Sequence, residues 1–326
     1  MNKNAHDEYE QEAEDFDQIA TERFENNQTP DIAGEWKNKY YYNNIWRESV
    51  FFNDEYGPII DWAHDKLQSI NASSVIEFGC GTGWLSLHLA RKGFHMTGYD
   101  LSKESIKIAN QYIQTLPELN ELNINYKVKN IIDFDDYDGS SIICFGFLHH
   151  LPKEVLTERI KYFHKNMNIG EHLLVVEPRY DFVNFEMAFM VQALRLALPN
   201  HYPKNNSYED IYKDTYEIYK ELGELDHNQS AHDNESPSSF IEDTINTYFD
   251  DVDTDYSTAF FDKFIGSARL SDKDNHELSH LLKELDNLIL KYNTNFARSI
   301  MMKIFLSTEQ NQGYIITIAK LMSLVI

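Results

Sequence analysis

The stretch VIEFGCGTGW, residues 75–84, places three glycines at alternate positions between an apolar run and a helical pattern. Glycine has no Cβ and adopts positive φ without strain, so such a turn lets a ligand approach the backbone closely. A phosphate-binding P-loop would need Lys and then Ser or Thr after its last glycine, whereas Gly83 is followed by Trp84 and Leu85. A dinucleotide-binding turn would need its third glycine at position 84. The spacing Gly-x-Gly-x-Gly therefore favours a third class of ligand.

Two carboxylates accompany the turn and indicate what that ligand is. Glu77 stands two residues before Gly79 and suits the positively charged amino-acid end of an adenosyl ligand that has no pyrophosphate. Asp100 follows Gly79 by 100 − 79 = 21 residues, where a carboxylate can accept both ribose hydroxyls. Nicotinamide-dependent enzymes also bind ribose hydroxyls through such a carboxylate, so Asp100 alone does not distinguish a nicotinamide cofactor from another adenosyl ligand. An unliganded tight turn would explain a single glycine, but three glycines with two carboxylates favour ligand binding.

Strand and helix patterns alternate around the turn and predict the fold class. Short apolar runs separated by amphipathic stretches imply right-handed crossovers and a parallel sheet. The first five predicted strands cover residues 74–78, 95–100, 123–130, 141–147 and 172–178. Two further strands are expected at residues 257–265 and 313–321. We therefore predict an α/β fold with a seven-stranded, mostly parallel sheet, N-terminal helices, and helical insertions near the C-terminal end.

Changes of pattern divide the chain into four expected segments. These are an N-terminal helical extension at 1–70, a ligand-binding core at 71–180, a helical insertion or lid with part of the substrate pocket at 181–256, and the last strands with inserted helices at 257–326.

Several details of these segments are also expected. Helices are predicted near residues 9–24, 182–198, 208–222 and 276–292, and residues 223–239 have the composition of a polar linker. The last helix is expected to pack through one face, which carries Leu278, Leu281, Leu285, Leu288 and Tyr292.

Five successive motifs carry a resemblance to a known family: VIEFGCGTGW, GYDLS, NIIDF, FGFLHHLP and HLLVVEP. In this order they are similar to the motifs of class I S-adenosylmethionine-dependent methyltransferases, in the small-molecule branch. The resemblance covers about residues 74–179. It implies a Rossmann-like sheet whose seventh strand runs antiparallel, which residues 313–321 would supply, and it implies S-adenosylmethionine as the cofactor.

The resemblance also assigns residues to the cofactor. The three glycines would line its methionine portion, Asp100 would hold the ribose, and Leu101 would pack on the adenine. Asn130 stands where the family usually has an aspartate that reads the adenine amino group, and an amide oxygen can still accept there. Cys80 is expected to be a small filler without chemistry. The expected cofactor-binding residues are Glu77, Gly79, Cys80, Gly81, Gly83, Asp100, Leu101, Asn130, Ile131 and Phe145.

The candidate catalytic residues are His149 and His150, which follow the fourth predicted strand at the sheet edge where ligands bind. Methyl transfer from a sulfonium is an in-line displacement, so alignment and desolvation can supply much of the rate. A base is needed only for an acceptor that carries a proton at neutral pH, and a neutral imidazole can remove it. The alternative is that one or both histidines cap the loop or pack beneath Pro152.

Three further residues are candidates for contact with the substrate. Tyr41 and Trp46 would cover a sulfonium through cation-π attraction, or would belong to a buried helix face. Arg179 would grip a substrate carboxylate, or would pair with a surface acid. No metal site is expected, because the spacing of the candidate ligands fits no standard one. Those candidates are His227, His232, Asp233 and Glu235.

Composition restricts the partners. The chain has 326 residues and a formal net charge of −24, which repels nucleic acid and anionic membranes. Cys80 and Cys144 are too few for a disulfide framework, and no signal peptide or membrane span is apparent, so a cytoplasmic location is expected.

We therefore expect methyl transfer to oxygen or nitrogen of a small molecule, and a homodimer is an open alternative for assembly. The loop FGFLHHLP lacks the Asn/Asp-Pro-Pro-aromatic sequence typical of enzymes that methylate protein amides or nucleic-acid amines. Two rival functions remain, a non-catalytic adenosyl-binding module that acts with a protein partner and a nicotinamide-dependent oxidoreductase.

Overall fold

One seven-stranded sheet organises the chain in a computed structural model that describes residues 3–26, 49–115, 119–197, 215–220, 236–261 and 271–306. The strand order is β3-β2-β1-β4-β5-β7-β6, and β7 pairs antiparallel with both of its neighbours. The strands are β1 Ser74–Phe78, β2 His95–Asp100, β3 Ile124–Val128, β4 Ser141–Phe145, β5 His172–Pro178, β6 Asp251–Ser257 and β7 Ser299–Phe305. The predicted fold class is confirmed.

The central strands are apolar because helices cover both faces of the sheet. Along β4, Ile142 and Cys144 face one hydrophobic core, and Ile143 faces the other. This alternation is the period of two that a strand imposes on its side chains. A strand buried on both faces therefore reads as a continuous apolar run, which explains why β1, β4 and β5 were predictable.

The helices form two layers on the sheet. Leu156, Ile160 and Phe163 of α6, with Ile241 and Ile245 of α8, fill one core, and helices α3, α4, α5, α7 and α9 contribute to the other. The helices are α1 Lys3–Glu25, α2 Ser49–Glu55, α3 Gly57–Ser69, α4 Trp84–Arg91, α5 Lys103–Thr115, α6 Lys153–Asn166, α7 Phe185–Ala197, α8 Ser238–Tyr248 and α9 Asp272–Tyr292. Residues 215–220 are also helical.

The sixth strand was predicted at the wrong place. It was expected at residues 257–265, but β6 occupies Asp251–Ser257, and Thr258 leaves the strand with a φ of 55°. The sequence DVDTDYS lies at the edge of the sheet, where Asp253 and Asp255 are exposed, so a strand is compatible with alternate aspartates. Residues 262–270 lie outside the described residues.

The antiparallel strand predicted at 313–321 also differs from what is observed. Its place beside β5 is taken by Ser299–Phe305, with Val175 paired to Met302 at the centre of the register. Residues 313–321 lie outside the described part of the chain, as does most of the predicted linker at 223–239.

The predicted packing face of the last helix was wrong in part. Leu278 and Leu282 are buried, and Leu285 and Ile289 are packed against the same core. Three of the residues expected on the packing face are exposed instead, namely Leu281, Leu288 and Tyr292. The buried stripe repeats at intervals of four, three and four, and apolar residues cover enough of this helix surface to allow either choice of packing face.

Candidate functional site

A cavity of about 250 Å³ lies at the carboxyl ends of the first four strands, where the strand order reverses between β1 and β4. Ligands of open α/β sheets bind at this kind of switch point. The described lining residues are Glu12, Phe16, Ile19, Ala20, Arg23, Phe78, Gly79, Cys80, Gly81, Thr82, Trp84, Tyr99, Asp100, Leu101, Ser105, Lys129, Asn130, Ile131, Gly146, Phe147, His150 and Leu151. The volume is near the lower end of the roughly 300–1,000 Å³ range of ligand pockets.

The glycine turn between β1 and α4 forms the floor of the cavity. All three glycines have positive φ, 70° at Gly79, 51° at Gly81 and 86° at Gly83. A Cβ on Gly81 would meet no atom within 4 Å, so this position leaves backbone open to the cavity. A Cβ on Gly83 would instead come within 2.3 Å of the Tyr126 ring, whose hydroxyl donates to the Gly83 carbonyl at 2.6 Å. Gly83 is not among the described lining residues, and its contact with Tyr126 gives it a packing role.

Asp100 joins the second strand to the glycine turn. Its Oδ2 accepts from the Gly81 N–H at 2.8 Å, and its Oδ1 accepts from the Ser102 N–H at 2.8 Å. Burial raises the pKa of this carboxyl, and the two backbone donors act against that rise. A carboxylate offers about four lone-pair sites, so two remain for ligand hydroxyls. Asp100 lines the cavity as the predicted ribose contact requires.

Glu77 lies beneath the turn and is not among the described residues that line the cavity. It is 2% exposed, and the Ser86 hydroxyl of α4 donates to its Oε2. Burial raises the pKa of Glu77 from 4.5 to about 8, despite that hydrogen bond. The observed partner of Glu77 is therefore Ser86, and its contact with the amino-acid end of the cofactor stays a prediction.

The three predicted adenine contacts are all brought to the cavity. Leu101, Asn130 and Ile131 all line the cavity. The Asn130 side chain accepts from the Ile132 N–H at 3.1 Å and so caps the short 3₁₀ turn Ile131–Asp133. This local bond accounts for an asparagine after β3, since Asn readily accepts from a backbone N–H two residues ahead.

The two candidate catalytic histidines follow β4 but face different partners. His149 is buried, and its Nδ1 lies 2.7 Å from Oε2 of Glu177 at the end of β5. Oε1 of Glu177 also accepts the N–H groups of Phe147 and Leu148, at 3.0 and 2.7 Å. His150 lines the cavity, whereas His149 is not among the described lining residues. The structure therefore favours His150 for any contact with ligand.

Two other predicted site residues are also placed away from the cavity. Phe145 packs edge-on against Trp84, with ring centroids 5.1 Å apart. The Arg179 guanidinium is stacked on the Phe182 ring at 3.9 Å, and its Nη1 donates to the Thr294 carbonyl at 3.1 Å. Neither Phe145 nor Arg179 is among the described lining residues, and Arg179 is 5% exposed. A grip on a substrate carboxylate thus gains no support from its contacts.

Tyr41 and Trp46 lie outside the described residues, so their predicted role stays untested. The same holds for His227, His232, Asp233 and Glu235. Within the described ranges, no group of three His, Cys, Asp or Glu side chains is placed to hold a metal ion. None of the helices in that part of the chain combines the length and apolarity needed to cross a membrane.

Helix α1 supplies a wall of the cavity that the sequence analysis did not assign. Five of its residues line the site, at the helical spacing of one face, and they are Glu12, Phe16, Ile19, Ala20 and Arg23. The Phe16 ring contacts the His150 ring edge-on, with centroids 5.4 Å apart. The helix itself was predicted, but amphipathicity alone does not tell which surface the helix packs against.

The family model described as a methyltransferase domain matches residues 53–253, which include the glycine turn, Asp100 and His150. The chain belongs to the methyltransferase domain family. This membership confirms the resemblance to class I S-adenosylmethionine-dependent methyltransferases and confirms S-adenosylmethionine as the cofactor.

Individual relatives are similar over shorter stretches. A ubiquinone biosynthesis O-methyltransferase of Aeromonas salmonicida is 31% identical over 94 residues, which cover 28% of this chain and 39% of that protein. The enzyme of the same name from Coxiella burnetii is 34% identical over 86 residues, covering 26% and 35%. The chain thus spans less than half the length of these curated relatives.

A solved structure is similar over a longer stretch, at lower sequence identity. Magnesium protoporphyrin IX methyltransferase from Synechocystis is 13% identical, with a TM-score of 0.44 over 81% of this chain and 88% of that one. A likeness at this level says nothing about the acceptor.

The cavity of this methyltransferase fits the cofactor. Gly81 leaves open backbone, Asp100 keeps lone pairs that could accept from ribose hydroxyls, and Leu101 and Ile131 would supply apolar walls for the adenine. Gly79 and Cys80 of the turn also line the cavity, and their N–H groups donate to the Tyr99 carbonyl at 2.9 and 3.1 Å.

Proposed function

We propose that this methyltransferase transfers a methyl group from S-adenosylmethionine to an oxygen or nitrogen of a small molecule. The observation that carries the proposal is the position of His150, on the wall of the cavity that also contains Gly81 and Asp100. When bound, S-adenosylmethionine supplies a methyl group already activated by a sulfonium. The protein must then orient the acceptor, exclude water and, for a protonated acceptor, remove one proton.

The residues around the cavity suit these tasks. The Gly79–Gly81 backbone and Asp100 would fix the cofactor, while Leu101 and Ile131 would exclude water from its adenine. His150 would accept the proton of the acceptor on one of its ring nitrogens, because a neutral imidazole is a base near neutral pH. Its position is supported by Glu177, which holds the preceding loop through Phe147 and Leu148.

The expected acceptor is small and uncharged or cationic. The formal charge of −24 opposes nucleic acids and other polyanions, since a protein that binds them needs basic residues to neutralise phosphates. The two ubiquinone biosynthesis enzymes described above are O-methyltransferases, which supports a hydroxyl acceptor here. Both cysteines are free and buried, which supports a location in the reducing cytoplasm.

The test is a transfer assay with methyl-labelled S-adenosylmethionine and a lysate of the source organism, followed by separation of small molecules from macromolecules. Label in the small-molecule fraction supports the proposal and allows the product to be identified. Label only in macromolecules contradicts it. Tight binding of S-adenosylhomocysteine without transfer to any fraction would instead favour a non-catalytic adenosyl-binding module.

A matched variant separates enzymatic transfer from background. Asp100→Ala removes the predicted ribose contact and the acceptor of the Gly81 N–H, so label transfer should fall with it. Equal transfer by this variant would mean that the labelled product comes from another enzyme in the lysate.

A further inference from the structure

Helix α1 contributes to the wall of the cavity at the edge of the sheet. The other described lining residues lie at strand ends, in the segments directly after β1, β2, β3 or β4, or in the first turns of α4 and α5. Five residues of α1, between Glu12 and Arg23, line the same cavity. The cavity is therefore bounded both by the sheet edge and by a helix that is far from the sheet core in sequence.

One side chain of α1 joins this helix to the start of α5. Oδ1 of Asp17 accepts from the Ser102 hydroxyl at 2.6 Å and from the Glu104 N–H at 3.0 Å. The first N–H groups of a helix have no partner within it, and a carboxylate there is also favoured by the helix dipole. Ser102 caps the Ser105 N–H at 3.0 Å, so Asp17 and Ser102 share the capping of α5.

Two aromatic contacts set the position of α1 on either side of Asp17. Phe16 meets His150 edge-on at 5.4 Å, within the cavity. Phe24 meets Tyr112 of α5 edge-on at 6.4 Å, outside it. Among these contacts, the polar ones are the hydrogen bonds of Asp17. Their partner Ser102 directly follows Leu101, one of the predicted adenine contacts that line the cavity.

Electrostatic repulsion between Asp17 and Asp100 opposes the docked position of α1. Burial is the largest cause that raises the pKa of Asp100, and the nearby charge of Asp17 raises it further. Two neighbouring carboxylates repel each other, so the docked position of α1 is stabilised by the bonds to α5 and weakened by Asp100.

We propose that α1 is a movable cover of the cofactor pocket and that Asp17 is the positioning residue that holds it closed. Its bonds to Ser102 and Glu104 keep Phe16, Ile19 and Ala20 over the bound adenosyl group. Their release lets the product leave. The proposal rests on the cavity being the cofactor site and not on the identity of the acceptor.

The test compares the full-length chain with three variants by calorimetric titration and stopped-flow dissociation of S-adenosylhomocysteine. Asp17→Ala should weaken binding about tenfold, mainly through faster dissociation, which is the scale of one charged hydrogen bond. Asp17→Asn keeps an oxygen that can accept from α5 and should rescue most of the affinity. Glu14→Ala removes the same charge from an exposed position of the same helix and should leave affinity unchanged.

Hydrogen exchange and thermal unfolding separate a cover from a merely structural contact. S-adenosylhomocysteine should slow amide exchange in α1 of the wild type, and Asp17→Ala should speed it more than Glu14→Ala does. The midpoint of global unfolding should fall by no more than about 2–4 °C, the effect of losing one helix-capping bond. Wild-type affinity and dissociation rate in Asp17→Ala, or an equal loss in Glu14→Ala, would overturn the proposal. A wild type that does not bind S-adenosylhomocysteine would overturn both the cofactor site and the cover.

Discussion

Oε2 of Glu177 lies 2.7 Å from Nδ1 of His149, although the two residues are 28 positions apart, Glu177 in β5 and His149 in the loop after β4. The other oxygen of Glu177 accepts the N–H groups of Phe147 and Leu148. One buried carboxylate therefore fixes three consecutive residues of the loop that ends in His150. The loop after β4 depends on a residue of β5 for its shape.

Replacement of Glu177 should test this dependence. Glu177→Ala leaves two backbone donors and a buried imidazole without their acceptor, and each buried unsatisfied group costs about 1–3 kcal/mol. We expect the free energy of unfolding to fall by about 3 kcal/mol or more. Glu177→Gln keeps one acceptor oxygen and should lose clearly less. Chemical denaturation measures both, and equal losses would contradict the account.

The two histidines should respond differently to replacement. His150→Ala should lower the rate of methyl transfer by about 10²–10⁴-fold if the acceptor must lose a proton, the range of general base catalysis. His149→Ala should chiefly lower stability, because its side chain contacts Glu177. Wild-type rates in His150→Ala across the pH range would remove His150 from the chemistry.

Alanine substitutions at two glycines of the same turn should have different effects, one on stability and one on cofactor binding. Gly83→Ala places a methyl group about 2.3 Å from the Tyr126 ring at a φ of 86°, so it should destabilise the fold by several kcal/mol, about 1–2 of which come from the left-handed backbone. Gly81→Ala meets no atom within 4 Å and should cost only the backbone strain, but its methyl group enters the cavity. Thermal unfolding and titration with S-adenosylhomocysteine should therefore report opposite rankings. The same ranking in both measurements would contradict the separate roles of packing for Gly83 and ligand access for Gly81.

Glu77 should make stability depend on pH in an unusual direction. Its pKa rises on folding from 4.5 to about 8 because of burial. Below pH 4.5 the folded and unfolded states are both protonated, and between pH 4.5 and 8 only the unfolded state releases the proton, so this contribution to stability falls as pH rises. Glu77→Gln removes the effect, at most about 1.4 kcal/mol for each pH unit.

The measurement is chemical denaturation of the wild type and Glu77→Gln at several pH values from 5 to 8. The variant should gain stability relative to the wild type as pH rises. A difference that stays constant over this range would mean that Glu77 is ionised in the folded protein.

The sequence predicted the core of the fold well where burial is two-sided. Strands β1, β4 and β5 form continuous apolar runs, and the glycine turn and Asp100 have a fixed spacing that a single sequence can show. Strand β6 was missed because an edge strand can carry aspartates, so it lacks the apolar run. Strand β7 was missed although SIMMKIF is apolar, because a second apolar stretch further along the chain was preferred.

The site was predictable only where its residues follow a strand. Asp100, Asn130 and His150 stand at strand ends, so their common edge follows from a parallel sheet. The contribution of α1 depends on contacts between distant segments, such as Asp17 with Ser102, which no local pattern shows. The burial of Glu77 beneath the turn likewise depends on the direction of one side chain and on Ser86.

The most direct test of the account is a calorimetric titration of the full chain with S-adenosylhomocysteine, beside the Asp100→Ala variant. The account predicts one binding site per chain and a loss of about 1–3 kcal/mol of binding free energy in the variant, the scale of a lost charged hydrogen bond. Absence of binding to the wild type, or equal affinity in both proteins, would contradict the assignment of this cavity to the cofactor.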